Sequence, residues 1–91
     1  MPVSSREKVR VPWAAGANAF PVQIAIVLKS AGEPAEADYR PAIWDGDDAV
    51  LLVGAGTDLE LAVGEYVVWS RITTATERPV RRSGMLTVGT P

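Results

Sequence analysis

An antiparallel β-sandwich is the fold this chain predicts, and three segments predict it. In Phe20-Pro-Val-Gln-Ile-Ala-Ile-Val-Leu28, one face holds Val22, Ile24, Ile26 and Leu28. The other holds Gln23, Ala25, Val27 and Lys29, the period of a strand with one buried side. Ala42-Ile-Trp44 puts a tryptophan on a short strand. Gly64-Glu-Tyr-Val-Val-Trp-Ser-Arg-Ile72 opens with Gly-x-Tyr, the pattern of a tyrosine corner late in an immunoglobulin-like sandwich. The expectation is one all-β domain over 1–91, an immunoglobulin-like antiparallel sandwich of about seven strands.

The elements follow in order. Residues 1–6 read as a loose tail. Glu7-Lys-Val-Arg-Val-Pro12 alternates charge and valine and makes a first strand, with Val9 and Val11 inward and Pro12 ending it or placing it on an edge. Residues 13–18 form a small-residue loop and 19–28 the second strand. Residues 29–41 form a long connection, with one short helical turn at Pro34 and Glu36 near its positive end. Tyr39–Trp44 is the third strand, and Asp45-Gly-Asp-Asp48 a tight turn. Ala49–Val53 is a fourth strand, apolar on both faces. Gly54–Asp58 turns, Leu59–Leu61 is a short fifth strand, 65–73 the sixth and Val80–Val88 the seventh.

The expected core is Val9, Val11, Val22, Ile24, Ile26, Leu28, Trp44, Val50, Leu52, Leu61, Tyr66, Val68, Ile72, Leu86 and Val88. Val68 stands where disulfide-bonded relatives of the fold carry cysteine, two residues after the corner tyrosine. Apolar packing then replaces the bridge, and truncating a large core residue to alanine costs about 2–5 kcal/mol.

Composition removes whole classes of function. There are no cysteines and no histidines. The commonest nucleophilic thiolate, general base and transition-metal ligands are missing together. Nine basic and eleven acidic residues give a formal charge of -2, not the basic face of a nucleic-acid binder. No apolar run approaches the ~20 residues of a membrane span. The polar, charged start does not have the form of a signal peptide, so synthesis in a cytoplasm is expected.

The remaining candidates for chemistry are weak. Val50-Leu-Leu-Val-Gly-Ala-Gly56 resembles the opening of a dinucleotide-binding turn, but the third small residue is replaced by Leu59 and no helix pattern follows. Asp45, Asp47 and Asp48 offer oxygens, without the spacing or closing glutamate of a calcium loop. Glu60, Glu65 and Glu77 lack a recognisable catalytic partner. The expectation is no enzyme, no cofactor and no metal.

Strand six carries an anomaly. With Tyr66, Val68, Ser70 and Ile72 inside, Val67, Trp69 and Arg71 lie outside. Trp13 lies in a loop, and Arg78, Arg81 and Arg82 gather near the last turn. Exposed aromatic, aliphatic and arginine side chains mark protein contacts. Trp13, Val67, Trp69, Arg71, Arg81 and Arg82 are therefore the candidate contact residues. Two plainer readings stand beside this one. The 29–41 connection can fold over the outer face, and the arginines can be a solvated edge that discourages pairing.

A resemblance adds to this. Asp38-Tyr-Arg-Pro-Ala-Ile-Trp44, Leu52-Val-Gly-Ala-Gly56, Gly64-Glu-Tyr-Val-Val-Trp-Ser-Arg-Ile72, Glu77-Arg-Pro-Val-Arg81 and Gly84-Met-Leu-Thr-Val88 resemble the motifs of a family. It comprises small immunoglobulin-like structural proteins of actinobacterial tailed phages and prophages. Their fold is similar to the N-terminal sandwich of phage baseplate upper proteins. The likeness spans roughly 7–90, with Tyr39 where tryptophan is usual and Ala55 where proline is usual. It implies a virion component assembled in the bacterial cytoplasm. The favoured expectation is a minor capsid or decoration protein bound in many copies to the major capsid protein, itself a possible homo-oligomer. The alternatives are a tail or baseplate accessory domain and a free-standing cytoplasmic protein-binding module. Neither nucleic acid nor membrane is expected as a partner.

Overall fold

The computed structural model describes residues 1–90 and forms two antiparallel sheets packed face to face. The strands are β1 (Arg6–Pro12), β2 (Val22–Leu28), β3 (Tyr39–Pro41), β4 (Ile43–Asp45), β5 (Asp48–Gly54), β6 (Gly64–Ile72) and β7 (Val80–Val88). One sheet has the order β1-β5-β4, the other β3-β2-β6-β7. The sandwich and the number of strands, seven, are those expected. The strand order is its own, since β2 lies between β3 and β6.

The core follows from period-two burial. Val22, Ile24 and Ile26 of β2 meet Tyr66, Val68 and Ile72 of β6 and close on Val11, Ala49, Val53, Leu61 and Val88. Trp44 packs against this cluster while its indole N–H donates to the Phe20 carbonyl at 2.8 Å. The tyrosine corner is present: the Tyr66 hydroxyl donates to the Ala62 carbonyl at 2.7 Å.

Five expectations need correction. The third strand is two: Tyr39–Pro41 pairs with β2, Ala42 crosses, and Ile43–Asp45 pairs with β5 in the other sheet. Leu59–Leu61 is not a strand. It joins neither sheet, and β4 ends its pairing with β5 at Val50. The segment closes instead as a compact turn, with the Gly54 N–H donating to the Leu59 carbonyl at 2.9 Å and the Thr57 hydroxyl to the Gly54 carbonyl at 2.7 Å.

The parity of β5 is the reverse of the one expected. Ala49, Leu51 and Val53 face the core, while Leu52 is exposed and Val50 lies on the outside. A continuous apolar run carries no alternation, so the hairpin decides. Asp45 pairs with Asp48 around Gly46-Asp47, which sets Ala49 beside inward Trp44. Gly46 has φ 63, the positive value required at the first position of such a two-residue loop. Leu28, the last residue of β2, is also half exposed, at the rim beside Gly64.

Residues 1–6 are not a loose tail: Arg6 opens β1, and the residues before it are bonded. The Val3 N–H donates to the Gly89 carbonyl at 2.7 Å, and the Gly89 N–H to the Met1 carbonyl at 2.9 Å. Pro2 and Gly89 thereby form a parallel bridge at the end of β7. The Ala55 N–H holds the Ser5 carbonyl at 3.1 Å. Main-chain groups that find partners in this way order a segment which polar composition suggested was free.

Candidate contact surfaces

The outer face of the four-stranded sheet carries the strand-six anomaly. Val67, Trp69 and Arg71 do point outward, but the chain covers much of this face itself. Val67 is 4% exposed and Arg71 is 4% exposed. Trp69 is half-buried, with its indole nitrogen enclosed. The cover is the 29–38 connection together with Tyr39 of β3, pinned by one arginine. The Arg71 guanidinium grips both Glu36 carboxylate oxygens at 2.7 Å, donates to Gln23 Oε1 at 2.6 Å, and stacks over the Tyr39 ring at 3.8 Å. Arginine suits this place because its planar fork satisfies a carboxylate with two bonds while its face lies on an aromatic ring. Val67 and Arg71 thus present almost no surface to another molecule.

The hydrogen bonds from Arg71 hold the Glu36 carboxyl below its ordinary value of 4.5, against an opposing effect of desolvation. Burial raises the Tyr39 hydroxyl, and nearby Arg71 partly offsets this. The depressed Glu36 makes the clamp acid-labile. Its stabilisation is full above the ordinary carboxyl value and is lost as pH falls through the lower folded value. A Glu36→Gln variant should melt below the wild type at about pH 6, and the gap should close towards about pH 3. A gap independent of pH would show that the carboxylate's charge plays no part.

Trp13 packs on the core from its loop, and the Arg81 guanidinium lies 3.9 Å over its ring. Arg81 also donates to the Pro12 carbonyl at 2.7 Å, tying β7 to the end of β1. Arg82, on the other parity of β7, is exposed. Of the six candidate contact residues, Arg81 and Arg82 are exposed, Trp13 and Trp69 are half-buried, and Val67 and Arg71 are covered. Arg78 lies 3.6 Å from Glu36, at the margin of the clamp.

A surface that sequence reading missed lies outside the β1-β5-β4 sheet. Ile43 is 71% exposed and Leu52 44%, on either side of buried Val50. Arg10 borders it, held to Asp45 at 2.7 Å and Asp48 at 3.6 Å. Two of the three aspartates read as possible cation ligands, Asp45 and Asp48, are thus engaged with an arginine, and among the described residues no cluster of metal-binding side chains forms. The hairpin register was the available signal. Counting from Asp45-Gly-Asp-Asp48 puts Ile43, Val50 and Leu52 on one face, opposite Trp44 and Ala49.

The other candidates take structural places. Gly54 ends β5, and Ala55 and Gly56 turn directly after it with no helix following. Glu60 accepts from the Gly56 N–H at 3.4 Å. The chain matches no family model, no curated protein and no solved structure.

Proposed function

We propose that this protein is a non-enzymatic structural module that binds other proteins. Following its resemblance, we further propose that it is a tailed-phage virion component held in many copies on the major capsid protein. The observation supporting protein binding is the exposed pair Ile43 and Leu52 on the outer face of the three-stranded sheet, bordered by the Arg10–Asp45 ion pair. Apolar groups centred on a rigid surface within a polar rim suit protein contact. The capsid assignment rests on the resemblance. Small contacts repeated by symmetry would then supply the avidity that one copy lacks.

Copy number tests the reading. Purified particles should carry hundreds of copies if the protein decorates the capsid, and only a few to tens if it belongs to the tail. Absence from particles would leave the free-standing binding module. An Ile43→Thr/Leu52→Thr variant keeps β-compatible side chains at exposed positions, so its stability should change by about 1 kcal/mol or less. Its retention on particles should fall at least about tenfold, since each buried aliphatic side chain contributes about 1.5–3 kcal/mol. Unchanged retention would remove this face from the contact.

A further inference from the structure

We propose that the seam between β1 and β7 takes an extended acidic segment of another protein, added as a strand to the free edge of β7. β1 and β7 are terminal strands of their two sheets, each with one paired neighbour. They face each other across a groove of about 200 Å³ in which Glu7–Val11 oppose Ser83–Leu86. The floor is core: Val11 is 2% exposed and Val68 is 5% exposed.

The main chain shapes the opening. Val68 pairs with Gly84 and Trp69 with Arg82, so Ser83 is an extra residue that bulges the edge. Opposite Val68 there is no side chain, and a Cβ at Gly84 would meet nothing within 4 Å. Arg81, bonded to the Pro12 carbonyl, closes one end. The other end shows how the edge accepts a strand, because residues 1–3 already bond to Gly89 there. Between the two ends, Arg82–Leu86 offers five residues of edge, roughly 17 Å of extended chain.

Charge selects the occupant. Arg6, Lys8, Arg10, Arg81 and Arg82, five of the nine cations, stand on these two strands with Glu7 as their only acid. The pair of strands carries a formal +4, and the rest of the chain -6. Arg6, Lys8, Arg81 and Arg82 have no acidic partner among the described residues. A second copy joining edge to edge about a two-fold axis would set two such cationic strands together, which like-charge repulsion opposes. An acidic strand satisfies the same edge, with main-chain bonds giving affinity and alternate apolar side chains entering the groove. This rests on the reading of the chain as a protein-binding module, and not on which particle it joins.

The probe is a six-residue peptide alternating valine and glutamate, with a valine–lysine peptide as its counterpart. Binding is followed by fluorescence anisotropy and by hydrogen exchange of the protein's amides. The acidic peptide should bind and slow exchange among residues 82–86. A Lys8→Glu/Arg82→Glu variant, altered only at exposed side chains, should bind it at least about tenfold more weakly. Four results would each overturn the proposal: no binding, equal binding of the lysine peptide, protection confined to other residues, and protection growing with protein concentration when no peptide is present. The first is the behaviour of an edge whose cations only repel partners, and the last assigns the edge to a second copy. Particle copy number reads neither, so this site and the proposed function fail separately.

Discussion

Replacing Arg71 with alanine is expected to lower the melting temperature by roughly 10–20 °C, from a loss of about 3 kcal/mol. The side chain is 4% exposed and holds Glu36, Gln23 and the Tyr39 ring together. Alanine removes three charge-assisted hydrogen bonds, the contact with the ring and the packing of a long stem. The desolvation of the guanidinium, which disappears with it, returns part of that loss. Lysine should rescue little, because an ammonium cannot grip both Glu36 oxygens and lie flat on Tyr39 at once. Thermal melting and limited proteolysis check this together. Cleavage within 29–38 should accelerate in the alanine variant. A drop of only about 2 °C with no new cleavage would mean that the connection is held by other contacts.

Changing Gly54 to alanine should cost a comparable amount, about 2–4 kcal/mol, for a backbone reason. Gly54 has φ 111, a conformation that L side chains rarely adopt. A Cβ there would also run into the Ser5 carbonyl, which is main chain and has no rotamer with which to yield. Relief requires residues 1–5 to leave β5, breaking the Ala55–Ser5 bond and loosening the start of β1 opposite Gly54. Chemical denaturation should show reduced stability, and hydrogen exchange should show lost protection at Val3 and Ala55. A variant as stable as the wild type would refute the close approach of these two segments.

The sequence disclosed most where side chains alternate. β2 and β6 carry clear period-two patterns, and their faces, their core residues other than Leu28 and the tyrosine corner were legible. β5 was not, because Ala49–Val53 is apolar at every position and local composition cannot say which side faces in. That choice lay with the hairpin register, which also fixed the exposed Ile43–Leu52 face. The fifth strand misled for a related reason. Leu59 and Leu61 alternate with acids and do turn inward, but alternation records burial and not main-chain pairing, and this segment closes a turn on Gly54 instead. The covering of Arg71 required a partner 35 residues away, which no local pattern reveals. Arg81 and Arg82 were visible as a basic cluster. The reach of Arg81 to the Pro12 carbonyl, at the end of the strand that carries Lys8 and Arg10, depends on how two sheets stack.

The single residue Ala42 carries the main chain from one layer to the other, with its N–H still bonded to the Val22 carbonyl at 3.0 Å. A peptide stitch of this kind locks the layers without sulfur chemistry. The chain has no cysteine, so neither glutathione nor air can alter that lock. The two halves should therefore keep the same mutual alignment in a reducing cell interior and in an oxidising exterior.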